Sequence, residues 1–258
     1  MTSRSRFSFS ENTVGGGNVQ LSGNTDCSLE ILPGKKGIYR LAQIDDYQGL
    51  ARSSFPWAAP MRINLSARAS SRAIPGTWGF GLWNDPFGLA FVQGSKARLP
   101  VLPNAAWFFF ASELNYLSIR DDLPASGQLA ATFRAPQKRP IKLLLGLPLF
   151  SLVFAPPIAR YLRRWLRDYI KQDSATLNHD PTEWHDYEID WQLDRVIFKV
   201  NKNEVLKTKI IPSRPLGLVI WVDNQYARWL PDGRFGYGTQ ANSEAFQLKI
   251  KDLDLTPA

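Results

Sequence analysis

Two acidic residues and a set of aromatic side chains at alternate positions are the parts of this chain whose types and spacing could do chemistry. In Ala105 to Glu113, AAWFFFASE, alternation puts Trp107, Phe109, Ala111 and Glu113 on one face, so Glu113 is that face's only carboxylate and stands at its end. In Gly217 to Asp223, GLVIWVD, Leu218, Ile220 and Val222 read as the core side and leave Trp221 and Asp223 opposite. Thr77 to Trp83, TWGFGLW, adds Trp83 on the face shared with Gly79 and Gly81. Glycine inside a strand often marks close approach of a ligand or of backbone, which makes that face a candidate ligand floor. Asn224 follows directly and Trp229 closes the next loop. Trp83, Trp107, Phe109, Trp221, Asn224 and Trp229 are thus the candidate ligand-binding residues. Glu113 and Asp223 are the candidate catalytic ones, for a cyclisation, isomerisation or hydrolysis if the protein is an enzyme. Aromatic platforms with a few amides and carboxylates suit sugar rings and equally suit apolar polycyclic or polyene ligands. The alternative is a second packed layer beneath an insertion described below.

The elements that must position these residues are strands. Tyr187, Ile189 and Trp191 alternate with Asp186, Glu188 and Asp190, and Val196, Phe198 and Val200 alternate with Ile197 and Lys199. That is a hairpin of two half-buried strands, with Asn201-Lys202-Asn203 as a following turn of residues that tolerate positive φ. Arg62 to Ala69 reads as another strand with one apolar face, and Arg6 to Ser10, Asn18 to Ser22 and Ser28 to Leu32 as short strands separated by Gly15-Gly16-Gly17. Phe55, Pro56 and Trp57 form an apolar loop that either rims a cleft or packs on an edge. The expectation is an all-β fold whose core contains Tyr187, Ile189, Trp191, Phe198, Leu218, Ile220 and Phe246.

WHDYEIDWQLDRVIFKVNKNEVL (Trp184 to Leu206) resembles the WHxYxIxWxxDxIxFxVDGxxV hairpin of the concanavalin A-like lectin/glucanase sandwiches, laminarinase-type glycoside hydrolases above all. GTWGFGLWNDPFG (Gly76 to Gly88) is similar to their GxWPAFWLxP strand, and SEAFQLKIKDLDL (Ser243 to Leu255) to their closing strand. The resemblance spans most of residues 60 to 255 and implies an antiparallel jelly-roll β-sandwich; with no internal repeat or low-complexity linker, the chain reads as the single domain 1–258. The resemblance also implies a carbohydrate ligand. It places the family's E-x-D-x-x-E motif on the strand Ala105 to Glu113, where this chain has no such triplet. Retaining hydrolysis needs two carboxyls about 5 to 5.5 Å apart, so that reaction is not expected here.

Composition narrows the rest. The 15 Phe, 9 Trp and 8 Tyr can fill a substantial core without staples, and one cysteine, Cys27, excludes an intrachain disulfide framework. His179 and His185 are the only histidines. Asn84-Asp85 and Asp223-Asn224 offer hard oxygens, but as turn or cap residues rather than a calcium loop. Neither a metal nor a cofactor is expected. No apolar signal segment opens the sequence, which points to a cytoplasmic protein or one at a membrane surface.

The net charge of +8 is local. Nine basic residues and one acid lie between Arg134 and Lys171, while the remainder has 22 of each sign, which disfavours a nucleic-acid surface. Residues 137–171 also have no counterpart in the resemblance and form an insertion. Leu143 to Ala159 has 17 uncharged residues interrupted by Pro148, Pro156 and Pro157, which suggests an apolar hairpin rather than a spanning helix. From Pro157 onward, Ile158, Tyr161, Leu162, Trp165, Leu166, Tyr169 and Ile170 recur at helical spacing opposite Arg160, Arg163, Arg164, Arg167 and Lys171. This helix either packs its stripe on the sandwich, covers the ligand face as a lid, or lies on an anionic membrane through Arg160, Arg163, Arg164, Trp165 and Arg167. The sequence therefore supports three readings. The first is binding, and possibly conversion, of an apolar small-molecule or lipid-linked ligand in a Trp-rich groove under the insertion. The others are a carbohydrate-binding or glycoside-hydrolase-like protein and a non-catalytic membrane-surface module.

Overall fold

The computed structural model describes residues 9–23, 25–86, 98, 101–136, 156–213 and 215–257. Two seven-stranded antiparallel sheets face each other. The front sheet runs β1 (Ser10–Val14), β4 (Leu41–Asp45), β13 (Gly217–Asp223), β6 (Thr77–Trp83), β7 (Ala105–Ala111), β8 (Gly127–Arg134) and β9 (Lys171–Thr176). The back sheet runs β12 (Asn203–Thr208), β11 (Val196–Val200), β10 (His185–Trp191), β5 (Met61–Ala69), β16 (Phe246–Pro257), β3 (Asp26–Ile31) and β2 (Gly17–Ser22). A separate hairpin, β14 (Gln225–Trp229) with β15 (Phe235–Thr239), follows β13, and a single α-helix among the described residues, α1 (Pro156–Tyr169), precedes β9. The result is a jelly-roll-like sandwich.

Period-two alternation builds the core. Strand β5 is buried at every second residue from Met61 to Ala69, with Arg62, Asn64, Ser66 and Arg68 turned outward. The β10–β11 hairpin pairs Tyr187 with Val200 and Trp191 with Val196, as the alternation requires. Its exit turn holds Asn201 at φ 50° and Lys202 at φ 69°, the positive φ that a two-residue hairpin turn demands. All seven expected core residues are buried. Between the sheets Phe80 and Phe108 of the front meet Tyr187 and Phe198 of the back, with Phe108 and Phe198 edge to face at 5.2 Å between centroids. Each fully buried side chain of this size contributes about 1.5 to 3 kcal/mol of hydrophobic stabilisation. Phe55 is buried against Tyr47, and Trp57 pairs by its backbone with Leu216, so the Phe55–Trp57 loop packs on the sandwich rather than rimming a cleft.

The helix begins at Pro156, with Pro157 in its first turn where a missing N–H costs nothing. The apolar hairpin expected over Leu143 to Ala159 falls, up to residue 155, outside the described residues.

Candidate functional site

Every second residue of the front sheet faces away from the core, and the register lays these residues out in rows. Gln43, Trp221, Gly79, Phe109 and Leu129 share one row, and Asp45, Val219, Gly81, Trp107 and Ala131 the next. Trp83, Trp107 and Trp221 come together there and are half-buried. The rings of Trp83 and Trp221 are parallel within 3° at 6.2 Å, and Trp107 lies 5.9 Å from the first and 5.5 Å from the second.

The two strand glycines serve these rings rather than a ligand. A Cβ on Gly79 would stand 2.7 Å from Cη2 of Trp221 and 2.9 Å from Cβ of Phe109, and one on Gly81 would stand 2.7 Å from Cβ of Trp107. Gly81 also has φ 149°, a region L side chains rarely adopt. Close approach does occur at the glycines, but the approaching groups are the chain's own: the Phe108 carbonyl oxygen and the Trp221 indole at Gly79, and the β7 backbone at Ala106 and Trp107 at Gly81. What a ligand could meet is the outer surface of the tryptophans.

Hydrogen bonds fix two of the three indoles. Trp83 Nε1 donates to Tyr47 Oη at 2.8 Å, and Trp221 Nε1 donates to Thr77 Oγ1 at 2.9 Å. The Trp107 Nε1 donor is buried and has no hydrogen-bond partner among the described residues. Toward β8 and β9 the same face is closed. Phe109 and Phe133 are buried beneath Leu102, Leu117 and Ile119, with Leu166 of α1 and Ile170 just beyond it. The packed-layer reading therefore holds toward β8 and β9, while the three tryptophans stay half-buried on the other half of the sheet. Phe109 belongs to the packed half.

The two candidate catalytic acids differ in exposure. Glu113 sits beyond the end of β7 in an exposed turn. Asp223 is 7 % exposed, and its Oδ1 accepts from Thr77 N, Thr77 Oγ1 and Gln225 N at 3.1, 2.9 and 3.2 Å. Burial pushes its carboxyl up to about 7, against the pull of these bonds and of the Tyr39 hydroxyl. Asp223 is thus a buried anchor that holds Thr77, and through Thr77 the ring of Trp221.

Asn224 is corrected more sharply. It is fully buried, its Oδ1 accepts from Arg40 N at 2.8 Å, and its Nδ2 donates to the Ile38 and Gln240 carbonyls at 3.0 and 2.8 Å. All of its polar capacity is spent joining three segments of the chain. Trp229 sits in the β14–β15 hairpin, its ring 6.1 Å from Phe235, away from the three-tryptophan cluster's ring contacts. Asn84 and Asp85 likewise serve the fold, Asn84 bridging to Leu102 and Asn104 and Asp85 pairing with Arg98 at 2.8 Å. Among the described residues no group of three His, Cys, Asp or Glu side chains could hold a metal ion.

The basic residues of α1 divide. Arg163 is 2 % exposed, donating to the Ser118 carbonyl at 2.9 Å and to Asp121 at 2.6 Å, with Tyr116 beneath its guanidinium. It is an internal anchor, not a membrane contact. Arg167 shares Asp121 at 3.0 Å and Arg160 donates to the Asp232 carbonyl, though both remain exposed, as does Arg164. Trp165 is half-buried and its ring lies 4.4 Å from Tyr169. A recess of about 320 Å³ opens elsewhere, lined among others by Arg134, Trp191, Leu193 and Pro212, and includes none of the expected site residues.

No family model matches this sequence, and no curated protein does. Solved structures do. A glycoside hydrolase family 16 endo-glucanase from Bacteroides ovatus aligns with a TM-score of 0.50 at 10 % identity, covering 96 % of this chain and 94 % of that one. The fold is a concanavalin A-like sandwich. A legume lectin-like domain from Entamoeba histolytica aligns at a TM-score of 0.45 and 11 % identity over 97 % of this chain and 90 % of that one. The chain also aligns with 17 % of a longer sialidase, at a TM-score of 0.44 and 8 % identity with 97 % of this chain covered. Within the sandwich, three residues that sequence reasoning passed over shape the site: Tyr47 and Thr77 orient indoles, and Gln43 shares the row of Trp221. Gln43 and Tyr47 lie in and beside LAQID, a strand without clean alternation, so only the isolated polar side chain between Ala42 and Ile44 signals an outward position.

Proposed function

We propose that the protein binds glycans without cleaving them by the retaining mechanism, on the half-open tryptophan surface of the front sheet. The observation that carries this is the Trp83–Trp107–Trp221 cluster, half-buried on the outward side of the sheet, with the ring of Trp83 held by Tyr47 and that of Trp221 by Thr77 and Gly79. Rigid aromatic faces lose little conformational entropy on binding, and the apolar faces of sugar rings stack on them while hydroxyls reach polar groups at the edge. Gln43 supplies such an edge. An apolar polycyclic ligand is favoured by an enclosed cavity, whereas this surface is a shelf.

The likeness of fold to an endo-glucanase supports a glycan as the ligand class. Glu113 is exposed beyond the end of β7, and Asp223 is sequestered by its own hydrogen bonds. The reading is tested by screening the protein against immobilised neutral and acidic glycans. Binding to at least one class, weakened about tenfold by Trp221→Ala with an unchanged fold, is expected. Absence of binding to every class rejects it.

A further inference from the structure

The recess of about 320 Å³ opens at one end of the sandwich, between the two sheets. Arg134 ends β8 of the front sheet and Trp191 ends β10 of the back sheet, while Leu193, in the turn after β10, and Ile211 to Ser213, on the way from β12 to β13, complete the walls. Along β8, Arg134 alternates with Ala131 and Phe133, which face outward, so the recess lies on the opposite side of the front sheet from the tryptophan shelf. Its volume falls at the lower end of the roughly 300 to 1,000 Å³ that small-molecule sites occupy.

One buried amide holds the walls together. Asn104, 3 % exposed, accepts at Oδ1 from Ala135 N at 3.2 Å and from Ser213 N at 2.9 Å, and donates from Nδ2 to the Ala135 carbonyl at 3.2 Å. The exit of β8 beside Arg134 is thereby tied to the segment that carries Pro212 and Ser213. The recess is formed before any ligand arrives.

The lining is apolar with one charge. Trp191, Leu193, Ile211 and Pro212 offer hydrocarbon, and Leu193 leaves 68 % of its surface uncovered. Arg134 is the only charged residue among the described lining residues, and its guanidinium makes no hydrogen bond or ion pair with a described residue. The acids nearest in sequence to Trp191 are engaged elsewhere, Asp190 with Arg62 at 3.4 Å and Asp194 with Arg195 at 3.6 Å. Lys171 and Asp173, on the adjoining strand β9, are of opposite sign and stand outside the lining. The wall also holds an idle donor, because the indole N–H of Trp191 is buried with no hydrogen-bond partner among the described residues. Buried polar groups normally find partners, so an oxygen acceptor suits this wall.

We propose that the recess binds a small apolar monocarboxylate, an alkanoic or arylalkanoic acid, with its hydrocarbon against Trp191, Ile211 and Pro212 and its carboxylate on the guanidinium of Arg134. The planar fork of a guanidinium matches the two oxygens of a carboxylate. One lining cation balances one negative charge. The recess shares no residue with the tryptophan shelf, so this site and glycan binding stand or fall separately.

The test titrates octanoate and phenylacetate into the full chain labelled with nitrogen-15 at tryptophan, with octanamide and phenylacetamide as uncharged counterparts. The indole N–H resonance of Trp191 is expected to shift with at least one of the acids while those of Trp83, Trp107 and Trp221 hold still. The matching amide should bind about tenfold more weakly or less, as the loss of a hydrogen bond between charged groups implies. Arg134→Gln should weaken the acid by a similar factor and leave thermal unfolding unchanged, because the side chain is exposed and holds no other element. No shift of Trp191 with either acid, equal affinity for acid and amide, or indifference to Arg134→Gln would overturn the proposal. So would shifts confined to Trp83, Trp107 and Trp221, which would place the acid on the shelf.

Discussion

Trp221 rests where the side chain of residue 79 would be: a Cβ on Gly79 would stand 2.7 Å from Cη2 of the indole. The pairing of Trp221 with Gly79 in adjacent strands makes this a same-row contact across one ladder rung. A large ring can lie over the sheet because its neighbour has no side chain.

Gly79→Ala is accordingly expected to displace Trp221, Phe109 and the β7 backbone at the Phe108 carbonyl, which a Cβ would meet at 2.5 Å, costing about 1 to 3 kcal/mol as overpacking does. Denaturant unfolding measures the loss, and near-UV circular dichroism should report the altered indole environment. Unchanged stability and spectrum would contradict this close packing at residue 79.

Asp223 gives the protein a pH signature. Its folded-state carboxyl, at about 7, lies above the ordinary 3.8, so the folded state holds this proton more tightly and the associated stability fades as pH rises from about 4 to about 7. Asp46, raised by burial to about 6, acts in the same direction, whereas burial and His185 lower His179 to about 4, so its contribution is lost as pH falls from 6.5 through about 4. Comparing Asp223→Asn with the wild type removes both backgrounds. The melting temperature of the variant, relative to wild type, should rise by about 5 °C between pH 4 and pH 8. A difference independent of pH would contradict the buried, proton-binding role.

Arg163 and Arg164 are neighbours with opposite fates. Arg163→Ala removes a buried cation bound to Ser118 and Asp121 and should cost about 1 to 3 kcal/mol. Arg164→Ala, at an exposed position, should stay within about 0.5 kcal/mol. Equal effects in urea unfolding would show that the Arg163 contacts do not hold the helix.

Glu113 makes no hydrogen bond or ion pair among the described residues and is exposed. Laminarin and lichenan should not be turned over, and Glu113→Gln should change neither stability nor glycan binding. Sustained hydrolysis that this substitution abolishes would restore a catalytic role.

The parts of the fold legible in the sequence are those where one side of a strand faces water. Strand β5 and the β10–β11 hairpin alternate cleanly, and the expected ranges Thr77–Trp83 and Gly217–Asp223 match the strands themselves. Strand β4 was not legible because it is buried on both sides, at Leu41 and Asp45 as well as Ala42 and Ile44, which erases the period-two signal. For the site, alternation correctly gathers Trp83, Trp107 and Trp221. It cannot say whether a strand glycine admits a ligand or the chain's own ring. Asn224 looked available because its main partner, Arg40, is 184 residues away in sequence. Arg163 differs from Arg160, Arg164 and Arg167 only through the distant loop that carries Ser118 and Asp121.

The most direct test of the tryptophan shelf is nuclear magnetic resonance of the indole N–H groups in protein labelled with nitrogen-15 at tryptophan, titrated with a glycan selected by the binding screen. The 9 tryptophans provide their own controls, because Trp78 and Trp191 lie in the core. The account predicts that the resonances of Trp83, Trp107 and Trp221 shift with glycan concentration while those of Trp78 and Trp191 hold still. Shifts confined to other tryptophans, such as Trp184 on the back of the sandwich between Arg68 and Lys251, would place the glycan elsewhere and contradict it.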